Sequence, residues 1–195
     1  MTMKYCPKCG SDVEQRIPEG DDRLRDICTS PSCGKIHYQN PRVITGCIIE
    51  YEEKILLCRR AIDPRYGLWT LPAGFLENAE TLSEGAARET MEEANAEVEV
   101  IDLFSVLTLA HINQVYMLFR AVLKSPHFAP GIESLEVRLL EESQIPWDQM
   151  AFAAVTETMR LYFADRKAGG FRTHTGEMRP LGDPGFRQYE TLMLN

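Results

Sequence analysis

Runs of apolar residues alternating with polar ones follow residue 40 and predict a β-rich domain. Two of these runs flank the acidic pair Glu52-Glu53, an arrangement that is typical of a hairpin. Longer runs further along the chain are dominated by Val, Leu, Ile, Phe and Tyr, which favour extended strands. The strands predicted in this way cover residues 43–51, 54–59, 97–109, 112–123 and 135–140.

Two further segments have the residue pattern of helices. They cover residues 81–94 and 151–166, and either Thr81 or Ser83 is a candidate N-cap for the first helix. The chain after Ala168 is interrupted by Gly and Pro, so we assign no element there. Because strands and helices do not alternate regularly, the pattern predicts an α+β fold, with a mixed β-sheet sandwiched between helices.

The first forty residues differ from the rest of the chain in composition. They contain four of the six cysteines and several turn-forming residues, but few large apolar side chains. A segment of this size cannot build a sufficient hydrophobic core and usually needs a metal ion or disulfides to fold. We therefore predict a small domain over residues 1–40, a main domain over residues 41–168 and a C-terminal tail over residues 169–195.

The cysteines of the small domain form two close pairs. Cys6 and Cys9 are separated by two residues, Cys28 and Cys33 by four, and eighteen residues lie between the pairs. Two such pairs on two turns can place four thiolates around one tetrahedral Zn²⁺, which leaves no coordination position open for catalysis. The alternatives are free thiols or two disulfides. The residues not expected to bind this zinc are His37, Cys47 and Cys58.

The charge balance limits the possible partners. The chain contains 29 acidic and 21 basic residues, with a formal net charge of −8. Such a chain repels nucleic-acid backbones unless a local basic surface compensates, so we expect no nucleic-acid partner. No apolar run approaches the length of a membrane span, and the N-terminus does not resemble a signal peptide. We therefore expect a cytoplasmic protein, in which the cysteines remain reduced.

The first predicted helix carries an acidic stripe. At about 100° per residue, Glu92 and Glu93 lie roughly 60° and 40° to either side of Glu89. Three carboxylates on one stripe repel one another, and a bound hard divalent cation removes that repulsion. Arg88 lies eight residues after Glu80 and can hold that carboxylate. The alternative is an ordinary acidic helix face exposed to solvent.

The spacing of these residues resembles the Nudix box. Gly74 is followed by five residues and Glu80, then by seven residues and Arg88-Glu89, then by two residues and Glu92-Glu93. Three positions depart from the family pattern, although none of them is a charged position. Those departures are Thr90 and Ala96 in place of aliphatic residues, and Asn95 in place of glycine.

The resemblance implies a metal-dependent hydrolase that cleaves the pyrophosphate bond of a nucleoside diphosphate derivative. In such a site Glu89, Glu92 and Glu93 hold Mg²⁺ or Mn²⁺ with the backbone carbonyl of Ala73, while Arg88 orients the carboxylates through Glu80. In relatives a glutamate from a later loop often completes the site. Here Glu136 is our preferred candidate and Glu133 the alternative.

A zinc ribbon before a Nudix domain resembles two groups of enzymes. The NADH pyrophosphatases carry a Ser-Gln-Pro-Trp type motif that this sequence lacks, since Ile145-Pro146-Trp147 has different flanks. The other group hydrolyses FAD or ADP-ribose to two monophosphates, and we expect that activity on a small nucleotide substrate. The sequence does not give the oligomeric state, but many relatives are homodimers, so a homodimer is a candidate assembly. NADH hydrolysis and a non-catalytic nucleotide- or RNA-binding module are the alternatives. Candidate ring-stacking residues are Trp69, Tyr116, Trp147 and Phe152.

Overall fold

The computed structural model describes residues 3–182 and 188–194, and its contacts divide the chain into two units. These units are Met1–Asn40 and Pro41–Asn195. The boundary after residue 40 coincides with the one predicted from the sequence. The sequence pattern also predicts a separate tail over residues 169–195. In the structure the described part of that tail belongs to the second unit.

The first unit contains a three-stranded antiparallel sheet. Its strands are β1 (Val13–Arg16), β2 (Arg25–Cys28) and β3 (Ile36–His37). The buried carboxylate of Asp26 accepts hydrogen bonds from the side-chain amides of Gln15 and Gln39, at 3.2 and 3.0 Å. This pairing satisfies a buried charge that would otherwise oppose folding.

The second unit is built on one mixed sheet that contains nine strands among the described residues. The central strands β4 and β9 run parallel, as do β8 and β11, while the other pairs are antiparallel. The strand order is β10-β5-β4-β9-β8-β11-β12, with β6 paired to β5 and β7 paired to β4. The strands are β4 (Arg42–Tyr51), β5 (Lys54–Arg60), β6 (Trp69–Thr70), β7 (Ala73–Phe75), β8 (Val98–Leu109), β9 (Gln114–Leu123), β10 (Ser134–Leu140), β11 (His174–Pro180) and β12 (Tyr189–Met193).

Two α-helices, α1 (Leu82–Ala94) and α2 (Ala153–Ala168), pack on the sheet. Alternate residues of β4 point to opposite faces, as the two-residue period of a strand requires. Ile44 and Ile48 belong to one apolar core that includes α2, whereas Cys47 and Ile49 belong to a second core that includes α1. The two helices therefore lie on opposite faces of the sheet, and the predicted α+β sandwich is confirmed.

The helix α1 is stabilised at both ends by its own sequence. Thr81 is the N-cap and forms a capping box with Glu84, in which each side chain bonds the other residue's backbone. Asn95 ends the helix with φ 45° and ψ 39°, in the left-handed region that glycine and asparagine adopt most readily. Among the described residues, no helix has the length and apolar character needed to cross a membrane.

The strands β11 and β12 lie in the segment to which the sequence analysis assigns no element. Their residues include Gly176 and Pro180 and show no sustained apolar alternation. β11 forms because it pairs in parallel with the exposed side of β8, and β12 then pairs with β11. Strand formation here depends on a partner distant in sequence, which a local pattern does not reveal.

Candidate functional site

Small residues bring α1 close to the sheet. A Cβ atom on Gly85 would lie 2.7 Å from Glu80 Oε1 and 2.9 Å from Thr45 Cγ2, so only glycine fits. The hydroxyl of Thr45 donates to the carbonyl of Leu82 at 2.9 Å and joins β4 to the start of the helix. As a result the side of α1 that carries Glu89 and Glu93 is buried.

A second close approach places the strand β7 beside the carboxylates. A Cβ atom on Gly74 would lie 2.3 Å from a carboxylate oxygen of Glu89. On the opposite strand, a Cβ atom on Gly46 would lie 2.3 Å from the carbonyl of Pro72. Since neither glycine could carry a side chain, the backbone around Ala73 lies directly next to Glu89, and Ala73 donates a backbone hydrogen bond to Glu93.

Arg88 joins the carboxylates of Glu80, Glu89 and Glu92 into one hydrogen-bonded network. Its Nε and Nη2 atoms donate to the two oxygens of Glu80, at 2.9 and 2.8 Å, in a bidentate pair. Its Nη1 atom donates to Glu89 at 2.8 Å and to Glu92 at 3.0 Å, and Nη2 also donates to the carbonyl of Phe75 at 3.1 Å. The guanidinium lowers the pKa of Glu80 to about 2, so this carboxylate stays ionised.

Glu93 is the most enclosed member of the acidic stripe, with 5% of its surface exposed. Burial raises its pKa to about 8, and the negative charges of Glu89 and Glu133 add to the effect, while Arg60 opposes it. Burial also raises the pKa of Glu89. Carboxylates that repel one another in a partly buried place form the oxygen-rich donor set that hard divalent cations bind. The residues present therefore fit a divalent cation held by Glu89, Glu92 and Glu93.

The structure separates the two glutamates considered for completing the site. Glu133 lines the cavity beside the acidic stripe, and its charge raises the pKa of both Glu89 and Glu93. Glu136 lies on β10, forms an ion pair with Arg138 and does not line the cavity. The structure thus brings Glu133 to the carboxylate cluster and leaves Glu136, the candidate preferred from sequence, outside it.

A cavity of about 1460 Å³ adjoins the acidic stripe. The carboxylates and Arg88 line one side of it, and apolar, polar and aromatic residues from other elements line the rest. Of the four aromatic residues considered for ring stacking, Trp69 is buried in the core and does not line the cavity. The aromatic residues that line it are Phe75, Tyr116, Trp147, Phe152 and Tyr189.

Arg60 is a cavity residue that the sequence analysis does not identify. Its side chain is 8% exposed, and its guanidinium lies over the ring of Phe152 with 5.0 Å to the centroid. Its Nε atom donates to the carbonyl of Pro64 at 3.1 Å, and no carboxylate among the described residues forms an ion pair with it. The sequence of β5, Lys-Ile-Leu-Leu-Cys-Arg-Arg, has no alternation that distinguishes Arg60 from Arg59, and only the structure shows that Arg59 is exposed and Arg60 buried.

The four cysteines of the first unit converge, as their spacing predicts. The sulfur atoms of Cys6, Cys9, Cys28 and Cys33 all lie within 4.8 Å of one another, and none is in a disulfide. Each pair sits on a tight turn, with the amide of Gly10 bonded to the carbonyl of Cys6 at 2.8 Å. Hydrogen bonds from Ser11 lower the pKa of Cys9 to about 6, which favours the thiolate that a metal binds. Four sulfurs in this arrangement suit tetrahedral Zn²⁺.

Family models match both units of the chain. Residues 4–39 match the zinc-ribbon model described as Nudix N-terminal, and residues 40–149 match the NUDIX domain. Among solved structures, a NUDIX hydrolase from Nitrosomonas europaea is 57% identical, with a TM-score of 0.86 over 90% of this chain and 98% of the other.

Curated relatives match part of their own length. The NAD-capped RNA hydrolase NudC of Photobacterium profundum is 34% identical over 139 residues, which are 69% of this chain and 48% of the relative. An ADP-ribose pyrophosphatase from Methanocaldococcus jannaschii is 41% identical over 69 residues, 35% of this chain and 41% of the relative. The chain thus spans about half the length of the NudC relative.

Proposed function

Because this chain belongs to the Nudix family, we propose that it hydrolyses the pyrophosphate bond of FAD, ADP-ribose or both, releasing two monophosphates. The family membership supports a pyrophosphohydrolase that needs a divalent metal. The observation that carries the substrate proposal is the cavity of about 1460 Å³, which joins the acidic stripe to aromatic walls. It is large enough for a dinucleotide-sized substrate, since ligand pockets commonly measure roughly 300–1,000 Å³.

In this proposal Glu89, Glu92 and Glu93 hold Mg²⁺ or Mn²⁺ together with the backbone carbonyl of Ala73. Glu133 contributes a further carboxylate from its loop, in place of Glu136. A bound divalent cation stabilises charge on the phosphoryl oxygens and makes water more acidic. Arg88 keeps Glu89 and Glu92 oriented, because its Nη1 atom bonds both carboxylates while Glu80 fixes its other edge.

The positive charge of Arg60 is available to the substrate. A buried guanidinium without a carboxylate partner is costly, and an anion that enters the cavity would offset that cost. Arg60 lies close enough to Glu93 to lower its pKa, so an anion bound there would sit beside the acidic stripe. We propose that Arg60 binds oxygens of the pyrophosphate and that Phe152, stacked beneath it, keeps the guanidinium in place.

The aromatic walls are suited to the flat rings at the ends of the substrate. Trp147 packs edge-on against Phe163, with 6.1 Å between centroids, and still lines the cavity. All candidate substrates share an ADP half, so the walls can bind that half in common and the second half must decide selectivity. The match to an ADP-ribose pyrophosphatase and the missing Ser-Gln-Pro-Trp motif support ADP-ribose or FAD.

A second candidate is the hydrolysis of NADH or of NAD-capped RNA. It is favoured by the relatives named NAD-capped RNA hydrolase, which cover 69% of this chain at 34% identity. Against an RNA substrate stands the net charge of −8, because an acidic surface weakens the binding of a phosphate backbone. A capped RNA differs from free NADH in carrying that backbone, so the two can be separated by direct comparison.

One substrate panel tests these proposals. FAD, ADP-ribose, NADH and NAD-capped RNA are incubated with the enzyme and Mg²⁺ or Mn²⁺, products are identified by mass, and kcat/KM is measured. We expect AMP and FMN from FAD, AMP and ribose 5-phosphate from ADP-ribose, and kcat/KM for both at least about tenfold above NADH, a difference of about 1.4 kcal/mol. A higher kcat/KM for NADH or capped RNA would select the second candidate. Sedimentation or light scattering of the same sample tests the expected homodimer.

A further inference from the structure

The C-terminal end of α1 and the loop after β9 are joined by reciprocal hydrogen bonds. The last carbonyls of a helix have no partner within the helix, and here the loop supplies two donors. The amide of Ala129 bonds the carbonyl of Ala94 at 2.8 Å, and that of Gly131 bonds the carbonyl of Glu93 at 3.0 Å. In return, the side-chain amide of Asn95 donates to the carbonyls of Ala129 and Pro130, at 3.2 and 3.1 Å.

The loop sequence suits this contact. Pro130 has no amide hydrogen, so the donors at Ala129 and Gly131 on either side of it are the ones that bond the helix. A Cβ atom on Gly131 would lie 1.7 Å from the carbonyl oxygen of Glu92, so the backbone could not approach as closely with any other residue. Phe128 packs against the apolar core on the α1 face of the sheet and anchors the start of the segment.

Glu133 lies two residues after Gly131, whose backbone contacts the end of α1. Its own carbonyl accepts the amide of Ala61 at 2.8 Å, so its backbone is held on the far side as well. The carboxylate therefore projects from a short segment fixed between α1 and the end of β5. Glu133 lines the same cavity as Glu89, Glu92 and Glu93, and its negative charge acts to raise the pKa of Glu89 and Glu93.

We propose that Asn95 is a positioning residue that holds the 129–133 segment against α1 and so presents the Glu133 carboxylate to the divalent cation. This inference rests on the proposed function, in which Glu133 completes the metal site. Asn95 stands where the family pattern has glycine, and glycine would end the helix equally well but could not bond the loop. The departure from the pattern thus adds a tether at the turn of α1 that carries Glu92 and Glu93.

Asn95 could serve to end α1 or to bond the loop, and these two roles predict different effects of Asn95→Gly. If Asn95 serves only to end the helix, Asn95→Gly is neutral or stabilising, because glycine adopts the left-handed conformation with the least strain. If it serves as a tether, Asn95→Gly loosens the loop although the helix stop is retained. Asn95→Asp keeps the shape of the side chain but presents a carboxylate to two carbonyls, so it loosens the loop at least as much.

The matched control is Asn113→Gly. Asn113 also has a left-handed backbone, with φ 53°, at the end of a short 3-10 helix. Its side chain makes no hydrogen bond within the described residues and does not line the cavity. This variant therefore repeats the same chemical change, in the same backbone conformation, without touching the loop.

The first measurement is hydrogen exchange of the 195-residue chain, purified with its zinc retained and without added Mg²⁺ or Mn²⁺. We expect the amides of Ala129 and Gly131 to exchange about threefold to tenfold faster in Asn95→Gly and Asn95→Asp than in the parent, as the loss of two exposed hydrogen bonds implies. Asn113→Gly should leave both amides unchanged. The thermal midpoint, recorded for each variant, should be unchanged in Asn95→Gly. Unchanged exchange at Ala129 and Gly131 in both Asn95 variants would overturn the proposal.

The second measurement is direct Mn²⁺ binding by electron paramagnetic resonance, without substrate. We expect the dissociation constant to rise about threefold to tenfold in Asn95→Gly, and Asn95→Gly combined with Glu133→Gln to bind no more weakly than Glu133→Gln alone. Additive effects would mean that Asn95 does not act through Glu133, and would refute the inference. If Glu133→Gln binds Mn²⁺ like the parent, the inference also fails, while the substrate panel still decides the proposed function separately.

Discussion

At the scale of single residues, the three glutamates of the acidic stripe differ in their surroundings. Glu92 is exposed and shares the Nη1 atom of Arg88 with Glu89, whereas Glu93 is buried and has no bond to that arginine. The partner of Glu93 is a backbone amide, that of Ala73, and its pKa is raised to about 8 mainly by burial. Ionised Glu93 is therefore the carboxylate that a bound cation would stabilise most. We expect its substitution to reduce activity more than substitution of Glu89 or Glu92.

We predict that Glu93→Gln lowers kcat by at least about a hundredfold without unfolding the protein. Gln keeps the shape and can still accept the Ala73 amide, but it removes a charge that binds the metal and stabilises the transition state. Circular dichroism and steady-state kinetics should therefore diverge. Glu99→Gln, at an exposed position of β8, is the matched control and should retain full activity. Activity of Glu93→Gln within a few-fold of the parent would show that the proposed metal site is wrong.

A second prediction compares the two candidate loop glutamates. Glu133→Gln should lower kcat by roughly tenfold to a hundredfold, because Glu133 faces the acidic stripe. Glu136→Gln should stay within about twofold of the parent, because its carboxylate pairs with Arg138 at the surface of β10, where ion pairs contribute little. Both variants are assayed with Mg²⁺ over a range of concentrations. The reverse order of effects would restore Glu136 as the contributing residue.

At the scale of elements, the two units use different means to order a short segment. The helix α1 is ordered by its caps and by close packing on β4, so the carboxylates it carries are already aligned. The three short strands of the first unit contain only four, four and two residues, which is too little to bury a substantial core. The sulfur cluster takes the place of that core.

We predict one zinc ion per chain, bound by Cys6, Cys9, Cys28 and Cys33 and without a part in the chemistry. Metal analysis of protein purified without added zinc should find it. Cys9→Ser should lose the metal and the order of the first unit, because such ribbons fold around their ion. Cys47→Ala, which alters a buried cysteine outside the cluster, should keep one zinc per chain. Protein without zinc and with a disulfide at Cys6 would contradict the prediction.

At the scale of the whole molecule, the cavity is assembled from distant parts of the chain. The acidic wall comes from α1 and β7, whereas other walls come from α2 and from the strands β11 and β12. The NUDIX family model ends at residue 149, so α2 and both of these strands lie beyond the matched region. The proposed metal site thus lies within the region that the family model matches, and part of the cavity wall lies beyond it.

The final prediction concerns Tyr189, on the strand β12. Its ring packs 5.7 Å from that of His111 and lines the cavity near Tyr116. We expect Tyr189→Leu to raise KM for the best substrate by up to about tenfold, the loss of one aromatic stacking contact, with kcat little changed. Glu190→Gln, at the exposed neighbouring position, should leave both constants unaltered. An unchanged KM, or a loss confined to kcat, would remove Tyr189 from the substrate-binding wall.

The sequence by itself determined the family and the grouping of the charged residues on α1. It did so because helix periodicity and fixed spacing are local properties: Glu89, Glu92 and Glu93 share a face in any helix. The same holds for the two cysteine pairs, whose turns bring each pair together before any long-range contact forms. The resemblance to zinc-ribbon Nudix hydrolases drawn from these spacings is confirmed by both family matches.

Only the tertiary structure decided which residues from other parts of the chain lie beside the acidic stripe. Glu133 and Glu136 are three residues apart and look alike in the sequence, and the contact of Gly131 with the end of α1 distinguishes them. Arg60 lies on β5, which pairs with the distant strand β10, and Tyr189 lies on β12, whose partner β11 pairs with the distant strand β8. Such contacts depend on register and on backbone approach between distant segments, which no local pattern records.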